Sequence, residues 1–165
     1  MQNSLPFSTT DGAEMDETPG PRAELSDPAV TVAFMLAGNA HVTFQSRRTG
    51  TRFTYRVRAA HGEGAFRASG VTHFVAILTG PDFYEYLGFI FDRKMYTHGR
   101  KSRIASDAPS AVAFSWVWKH LSGGEMHPEL GVWHEGRCGA CGRRLTTPKS
   151  VEQGLGKICA ARLGR

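Results

Sequence analysis

The chain has 165 residues, of which 41% are hydrophobic, and its formal net charge at neutral pH is +5. This length suits one medium domain or a domain with a small appendage, and the composition can supply a hydrophobic core. No apolar run approaches the roughly 20 residues of a membrane-spanning helix, and the N-terminus lacks the basic start and apolar block of a signal peptide. We therefore expect no membrane partner and a cytoplasmic location, in a reducing compartment of the bacterial type.

Charge is unevenly distributed along the chain. Residues 1–30 hold six acidic residues and one arginine, whereas residues 31–165 hold 19 basic and 9 acidic side chains, a net charge of +10. A folded part this basic favours a polyanionic partner such as nucleic acid. The alternative is a basic surface that is merely solvated.

The first residues predict a leader followed by a short helix. Residues 1–28 are rich in Ser, Thr, Pro, Gly and acidic residues and contain few large apolar groups, which predicts a disordered acidic leader. Residues 29–38 predict a helix that Asp27 and Pro28 can start and Gly38 can end. A buried strand is the alternative for this apolar segment.

Residues 41–58 predict a β-hairpin. Apolar and polar side chains alternate in two runs, which places Phe, Tyr and Val on one face and arginines on the other. Gly50 supplies the positive φ that tight hairpin turns often need. The arginines of the turn and of the polar face are Arg47, Arg48, Arg52, Arg56 and Arg58.

Two more strands and a second hairpin follow. The nearly all-apolar residues 73–79 predict a central strand, residues 80–82 predict a turn, and residues 84–91 predict another strand. The basic residues 93–103 predict a second hairpin with Gly99 near its tip. Basic side chains of this segment include Arg100, Lys101 and Arg103.

A longer amphipathic helix is predicted over residues 109–121. Asp107 is a candidate N-cap, and Pro109 suits the first turn. Apolar residues at helical spacing make one stripe, formed by Phe114, Val117, Trp118 and Leu121. The predicted class is therefore α+β: residues 29–133 form a mostly antiparallel sheet packed by this one main helix.

All three cysteines lie close to the C-terminus. Cys138 and Cys141 stand in a CxxC arrangement among glycines, so both sulfurs can face one ion from a tight turn. In a reducing compartment such a pair favours a metal over a disulfide. The sequence therefore predicts a zinc-binding tail over residues 134–165, with Zn²⁺ held by His134, Cys138, Cys141 and Cys159.

The predicted layout of this tail is a treble clef. A knuckle around the first two cysteines precedes a short strand and a capped helical turn over residues 147–152, and a final helix carries Cys159 in its first turns. A treble clef usually takes two ligands from that helix, and this helix offers only one. His134 is therefore the predicted fourth ligand, with His120 and His127 as alternatives.

The sequence does not predict an enzyme. It contains no phosphate-binding loop, no Gly-x-Ser-x-Gly elbow and no recognisable pair of carboxylates. Glu135 beside His134 could act as the general base of a catalytic zinc site. However, base deaminases separate their His and Glu by one residue and place Pro before a later CxxC, and neither feature is present. We therefore expect a structural metal.

Two parts of the chain carry a resemblance. Residues 136–159, GRCGACGRRLTTPKSVEQGLGKIC, resemble the C-terminal zinc-binding tail of a family of uncharacterised bacteriophage and mobile-element proteins. Residues 49–55, TGTRFTY, and 78–82, LTGPD, resemble the body that often precedes this tail. Lys157 stands where the family is expected often to have proline. The resemblance implies a phage, prophage or plasmid origin and a bacterial host, and it implies no activity.

The placement of charge favours a non-enzymatic nucleic-acid-binding accessory protein, with DNA or RNA as partner. Basic side chains neutralise phosphates with little sequence preference, and Tyr96 and Trp133 could stack on unpaired bases. The predicted contacts are Arg47, Arg48, Arg52, Arg56, Arg58, Arg100, Lys101, Arg103, Arg143, Arg144 and Lys149. The alternative is a protein-binding module that occupies or inhibits a host enzyme or defence complex, which an exposed apolar patch would favour.

Overall fold

A computed structural model describes residues 23–61 and 69–164 of the chain. Most of the predicted acidic leader, residues 1–28, lies outside these ranges. The strands are β1 (Ala23–Glu24), β2 (Asn39–Ser46), β3 (Arg52–Ala59), β4 (Val71–Gly80), β5 (Phe83–Phe91), β6 (Met95–His98) and β7 (Leu130–His134). The helices are α1 (Pro28–Met35), α2 (Pro109–Ser122), α3 (Pro148–Gln153) and α4 (Lys157–Arg162).

The strands form a seven-stranded sheet in the order β1-β7-β2-β3-β4-β5-β6, and every neighbouring pair is antiparallel. The predicted α+β class is confirmed, and the strands predicted over 73–79 and 84–91 are β4 and β5. β7 lies inside the sheet, since Trp133 pairs with Thr43 on one side and Glu24 on the other. The sequence alone does not reveal this position, because pairing between distant segments leaves no local pattern.

The predicted hairpin over residues 41–58 is confirmed as β2 and β3. Val42 pairs with Tyr55, and Gly50 lies in the turn at a φ of 76°. Val42 and Tyr55 are fully buried, whereas Arg56 on the other face is partly exposed. The alternation in the sequence therefore separates a core face from a solvent face.

The second hairpin differs from its prediction. Its turn lies over residues 92–94, between β5 and β6, where Asp92 and Arg93 adopt φ values of 49° and 57°. The prediction of Gly99 near the tip is wrong, because this turn uses two non-glycine residues in the left-handed region. Gly99 follows β6, where an added Cβ would lie 2.4 Å from the Tyr86 ring.

The two longer helices start as their sequences suggest, with one exception. Asp27 caps α1 by accepting a hydrogen bond from the Val30 N–H at 2.9 Å, which confirms the predicted helix. Pro109 occupies the first turn of α2, but Ala108 is its N-cap and no side chain caps it. The prediction of Asp107 as the cap is therefore wrong, and the fixed φ of Pro109 starts the helix.

Helices α1 and α2 cover one face of the sheet. The predicted stripe of α2 is buried in the core: Phe114, Val117, Trp118 and Leu121. Two side chains fix this helix to the sheet. The Tyr55 hydroxyl donates to the Ser110 carbonyl at 2.6 Å, and the Trp118 Nε1–H donates to the Lys94 carbonyl at 2.8 Å. None of the helices in the described ranges has the length and apolar character needed to cross a membrane.

Candidate metal centre and the adjoining sheet face

Three sulfurs converge near the C-terminus. The Sγ atoms of Cys138, Cys141 and Cys159 all lie within 4.8 Å of one another, so they can bind one metal ion together. The first two lie in a tight turn, which the Gly142 N–H closes by donating to the Cys138 carbonyl at 2.9 Å. Cys159 lies near the start of α4, whose N-cap is Gly156. The predicted knuckle and final helix are confirmed, and so is the helical turn between them, as α3.

Backbone N–H groups point at the most buried of these sulfurs. Cys138 Sγ accepts hydrogen bonds from Gly156 at 3.3 Å and from Ala140 at 3.5 Å. Burial alone would raise the pKa of the Cys138 thiol, but the bonds from Gly156, Cys141 and Ala140 outweigh it and lower that pKa. Burial and the neighbouring sulfurs raise the pKa of Cys159 to about 11. A bound cation would allow all three thiols to ionise together.

His134 does not join these sulfurs. Its Nε2–H donates to the Val151 carbonyl at 2.6 Å, and its Nδ1 accepts from the Gly136 N–H at 3.0 Å. With both ring nitrogens bonded to the backbone, His134 lies outside the group of metal-binding side chains, so the structure does not bring it to the sulfurs as predicted. Burial lowers the pKa of His134 although the Val151 bond raises it. The neutral ring therefore joins the end of β7 to α3.

The alternative histidines lie elsewhere. His120 Nδ1 donates to the Trp116 carbonyl at 2.9 Å, and its ring stacks on Trp116 with 3.9 Å between centroids. His127 accepts from the Glu129 N–H at 3.1 Å and packs edge-on against the same tryptophan. Both belong to the surroundings of α2. Within the described residues, the only group of metal-binding side chains is therefore the three cysteines.

Residues 136–164, which we call the cysteine module, pack against Phe34 of α1. An added Cβ on Gly139 would lie 2.6 Å from the Phe34 ring, and one on Gly154 would lie 2.4 Å from it. The Asn39 N–H also donates to the Gly139 carbonyl at 2.7 Å. These glycines allow the module's backbone to approach the ring. The glycines beside the cysteines were predicted to bring the sulfurs together, and this second role leaves no local pattern in the sequence.

The face of the sheet opposite α1 and α2 is lined by aromatic and basic side chains. Residues directly opposite each other in antiparallel strands share a face, and the strand registers place this set on one surface. We call it the open face; its central members are His41, Arg56, Arg58, Phe74, Ala76, Tyr84 and Tyr86. Apart from Arg58, which is exposed, these side chains are partly exposed.

Tyr84 lies on this face and contacts two of its other members. Its hydroxyl is 3.0 Å from His41 Nδ1, and the Arg56 guanidinium carbon is 4.5 Å from its ring centroid. Burial, and then the charge of Glu135, raise the pKa of Tyr84, while Arg56 opposes them. The tyrosine therefore stays neutral and organises the basic and imidazole side chains around it.

Charges from two parts of the chain act on His41. Burial is the main cause that lowers the pKa of His41. The charge of Glu135 opposes it, and the charges of Arg56, Arg58 and Arg137 add to it. Since Arg137 belongs to the cysteine module, the module borders the open face beside His41.

The predicted nucleic-acid contacts fall into three groups. The first lies on or near the β2–β3 hairpin: Arg47, which forms an ion pair with Glu24, and Arg48, Arg52, Arg56 and Arg58. The second is the exposed set Arg100, Lys101 and Arg103, in the loop after β6. This loop packs beside Tyr86, whose carbonyl accepts from the Ser102 hydroxyl at 2.7 Å. The third is the exposed set Arg143, Arg144 and Lys149, in the cysteine module.

A family profile described as a family of unknown function (DUF6011) matches residues 130–164. The match covers β7 and the whole cysteine module, and it agrees with the resemblance of the C-terminal residues to an uncharacterised family. No curated protein and no solved structure matches the chain.

Proposed function

We propose that this protein is a zinc-containing, non-enzymatic accessory protein that binds nucleic acid, of bacteriophage or mobile-element origin and acting in the cytosol of a bacterial host. The observation that carries the proposal is the open face. Arginines of the first hairpin lie on it, the basic loop after β6 borders it beside Tyr86, and Arg137 of the module acts on it from the other end.

Zinc is the metal that the three sulfurs fit best. Thiolates favour zinc, copper(I) and iron–sulfur clusters over hard cations, and a CxxC knuckle with a further cysteine from a helix is an arrangement typical of structural zinc sites. Cys138, Cys141 and Cys159 would hold the ion, whose charge would offset most of the negative charge of their thiolates. Elemental analysis of protein purified under reducing conditions should return about one zinc per chain; another metal, or none, would contradict the assignment.

Nucleic acid is the partner that the charges fit best. Residues 31–165 carry a net charge of +10, and guanidinium groups pair with phosphates through two parallel hydrogen bonds. Arg58 is exposed and Arg56 is half-buried on the open face, so both can reach a backbone that crosses it. Such contacts give affinity with little sequence preference.

The test is binding of labelled DNA and RNA oligonucleotides across a series of salt concentrations. We expect the logarithm of the affinity to fall linearly with the logarithm of the salt concentration, because phosphate contacts release counterions. Arg58→Gln should weaken binding and reduce the slope by about one. Lys119→Gln is the matched control, since Lys119 is also exposed but lies on α2, on the other side of the sheet.

Two results would contradict nucleic-acid binding: weak affinity without any dependence on salt, or an equal effect of Arg58→Gln and Lys119→Gln.

The alternative, a module that binds and inhibits a host protein, is favoured by two large apolar side chains exposed at the end of the chain. Ile158 is 66% exposed and Leu163 is 44% exposed. A stoichiometric protein partner that survives nuclease treatment of a host lysate would support this alternative.

A further inference from the structure

We infer that the open face binds single-stranded nucleic acid, with unpaired bases stacked on Phe74 and Tyr86 and the phosphates paired with the arginines beside them. This inference rests on the proposed nucleic-acid binding and specifies its substrate. Three features of the face lead to it: the arrangement of the aromatic rings, the small residue between them and the arginines, and the position of the charges.

The aromatic rings form a platform. Phe74 on β4 and Tyr86 on β5 are both partly exposed, and their ring centroids lie 6.3 Å apart at an angle of 66°. Tyr86 is supported from the side by the backbone of Gly99. Rings that are held in place in this way lose little freedom when a base stacks on them. Stacking of this kind accepts any base, since every base has a π-face.

A small residue leaves room above the centre of the platform. Ala76 is directly opposite Arg56 on one side and Tyr86 on the other. The methyl group of Ala76 is shorter than either neighbouring side chain, so a planar base is expected to fit above it. Arg56, whose guanidinium lies over the Tyr84 ring, would be on one side of the base and the Tyr86 ring on the other.

The charges place the phosphates on the same part of the face. Arg58 is the cross-strand partner of Phe74, and the loop that carries Arg100, Lys101 and Arg103 packs beside Tyr86. The carboxylates of Glu135 and Asp82 act on Tyr84. Tyr84 therefore lies where positive and negative charge meet, and the strand is expected to pass over Phe74 and Tyr86 instead.

A duplex would not use this arrangement. The bases of a double helix are paired and stacked on one another, so their faces are closed to side chains, and a duplex would contact only the exposed basic groups. Half-buried rings at the centre of a broad sheet contribute only to the binding of unpaired bases. The same rings would accept DNA or RNA, and separate arms of the experiment distinguish the two.

The experiment measures fluorescence anisotropy of labelled single-stranded DNA, single-stranded RNA and a duplex of equal length, at one fixed salt concentration, with the full-length protein. We expect at least one of the single strands to bind more tightly than the duplex. Phe74→Leu and Tyr86→Leu keep apolar bulk but remove the aromatic ring. Each should weaken single-strand binding roughly 5- to 150-fold, the range expected for one stacked base, with little effect on the duplex.

Phe83→Leu is the matched control, because Phe83 is 58% exposed at the start of β5 and is not one of the central members of the open face. Circular dichroism and thermal unfolding of each variant verify that it is folded. Phe74→Tyr keeps an aromatic ring and should therefore keep the binding that Phe74→Leu loses. Equal affinity for duplex and single strand, or equal effects of Phe74→Leu and Phe83→Leu, would overturn the stacking inference and leave salt-dependent nucleic-acid binding intact. Absence of binding to all three ligands would overturn the proposed function as well.

Discussion

The sheet domain, residues 23–134, and the cysteine module are held together by different means. The sheet domain buries large side chains from both layers, among them Phe34, Phe44, Tyr55, Phe114 and Trp118. The module buries only Cys138, Leu145, Leu155 and Ala160 as its own cluster. Its two helices have six residues each, too few to be stable alone in water. The first region is specified by apolar burial, whereas the second depends on the sulfurs and on its contact with the sheet domain.

This difference follows from size. Below about 40 residues a chain seldom buries enough apolar surface to fold without a metal, a disulfide or a partner. The module offers three sulfurs that can share one ion, and a backbone that fits against Phe34. Changes to the sulfurs, to this contact and to the histidines should therefore affect the two regions unequally.

The largest expected effect is that of replacing a cysteine. Cys138→Ser, Cys141→Ser and Cys159→Ser should each abolish stoichiometric metal binding and remove amide protection in the module, because two sulfurs hold the ion far less tightly than three. Protection in the sheet domain should persist. Elemental analysis and hydrogen exchange measure both outcomes. Ala161→Ser, an exposed substitution in α4, is the control; full metal content in any of the cysteine variants would contradict the assignment.

The next largest effect is expected at the contact between the module and Phe34. Gly154 and Gly50 have φ values of 68° and 76°, so alanine at either position costs about 1–2 kcal/mol of backbone strain. An added Cβ at Gly50 meets nothing within 4 Å, but at Gly154 it would lie 2.4 Å from Phe34. The free energy of unfolding of Gly154→Ala should therefore fall by about 1–3 kcal/mol more than that of Gly50→Ala.

Denaturant unfolding, with hydrogen exchange to locate the loss, compares these two variants. Phe34→Leu, which shortens the side chain that the new Cβ would meet, should recover part of the loss when combined with Gly154→Ala. If the two alanine variants lose equal stability, Phe34 does not form the docking surface.

A smaller effect is expected at His134. His134→Ala leaves the Gly136 N–H and the Val151 carbonyl without their partner. Water can replace the part-buried bond to Val151, so the main loss comes from the buried Gly136 N–H, which costs about 1–3 kcal/mol when unsatisfied. The metal content should stay near that of the wild type, because the imidazole is not with the sulfurs. Loss of the metal in this variant would restore His134 as the fourth ligand.

The smallest effect is a dependence of stability on pH. Burial lowers the pKa of His41 and of His73, whose Nε2–H donates to the Leu36 carbonyl at 2.9 Å. The unfolded chain then takes up protons at a higher pH than the folded protein does. This contribution is complete above the unfolded pKa of about 6.5 and is lost as the pH falls below it.

Denaturant midpoints at pH 7.5 and 5.5 should therefore show lower stability at the acidic value. His73→Gln, which keeps an N–H donor for Leu36, should reduce the difference between the two. An unchanged or higher midpoint of the wild type at pH 5.5 would contradict this assignment, and an unchanged difference in the variant would remove His73 from it.

The features predicted correctly from the sequence are those with a local pattern. Alternation over residues 41–58 predicts the first hairpin, helical spacing predicts the stripe of α2, and the CxxC with a later cysteine predicts the three sulfurs. In each case residues near in sequence share a requirement, either a common face or a common ion.

The features that were missed depend on residues distant in sequence. The position of β7 between β1 and β2 depends on pairing across most of the chain. The two bonds of His134 and the approach of Gly154 to Phe34 arise only once the module is docked. The turn at Asp92 was missed for another reason, since two residues other than glycine adopt positive φ there. A histidine close to cysteines in sequence is therefore weak support for a metal ligand.

The most direct test of the difference between the two regions is hydrogen exchange of the full-length reduced protein with and without a metal chelator. If one ion organises the module, chelation should remove protection from residues 136–164 first, while the amides of β2, β3 and β4 keep theirs. Equal loss of protection throughout both regions, or no loss in the module once metal has been removed, would contradict this account.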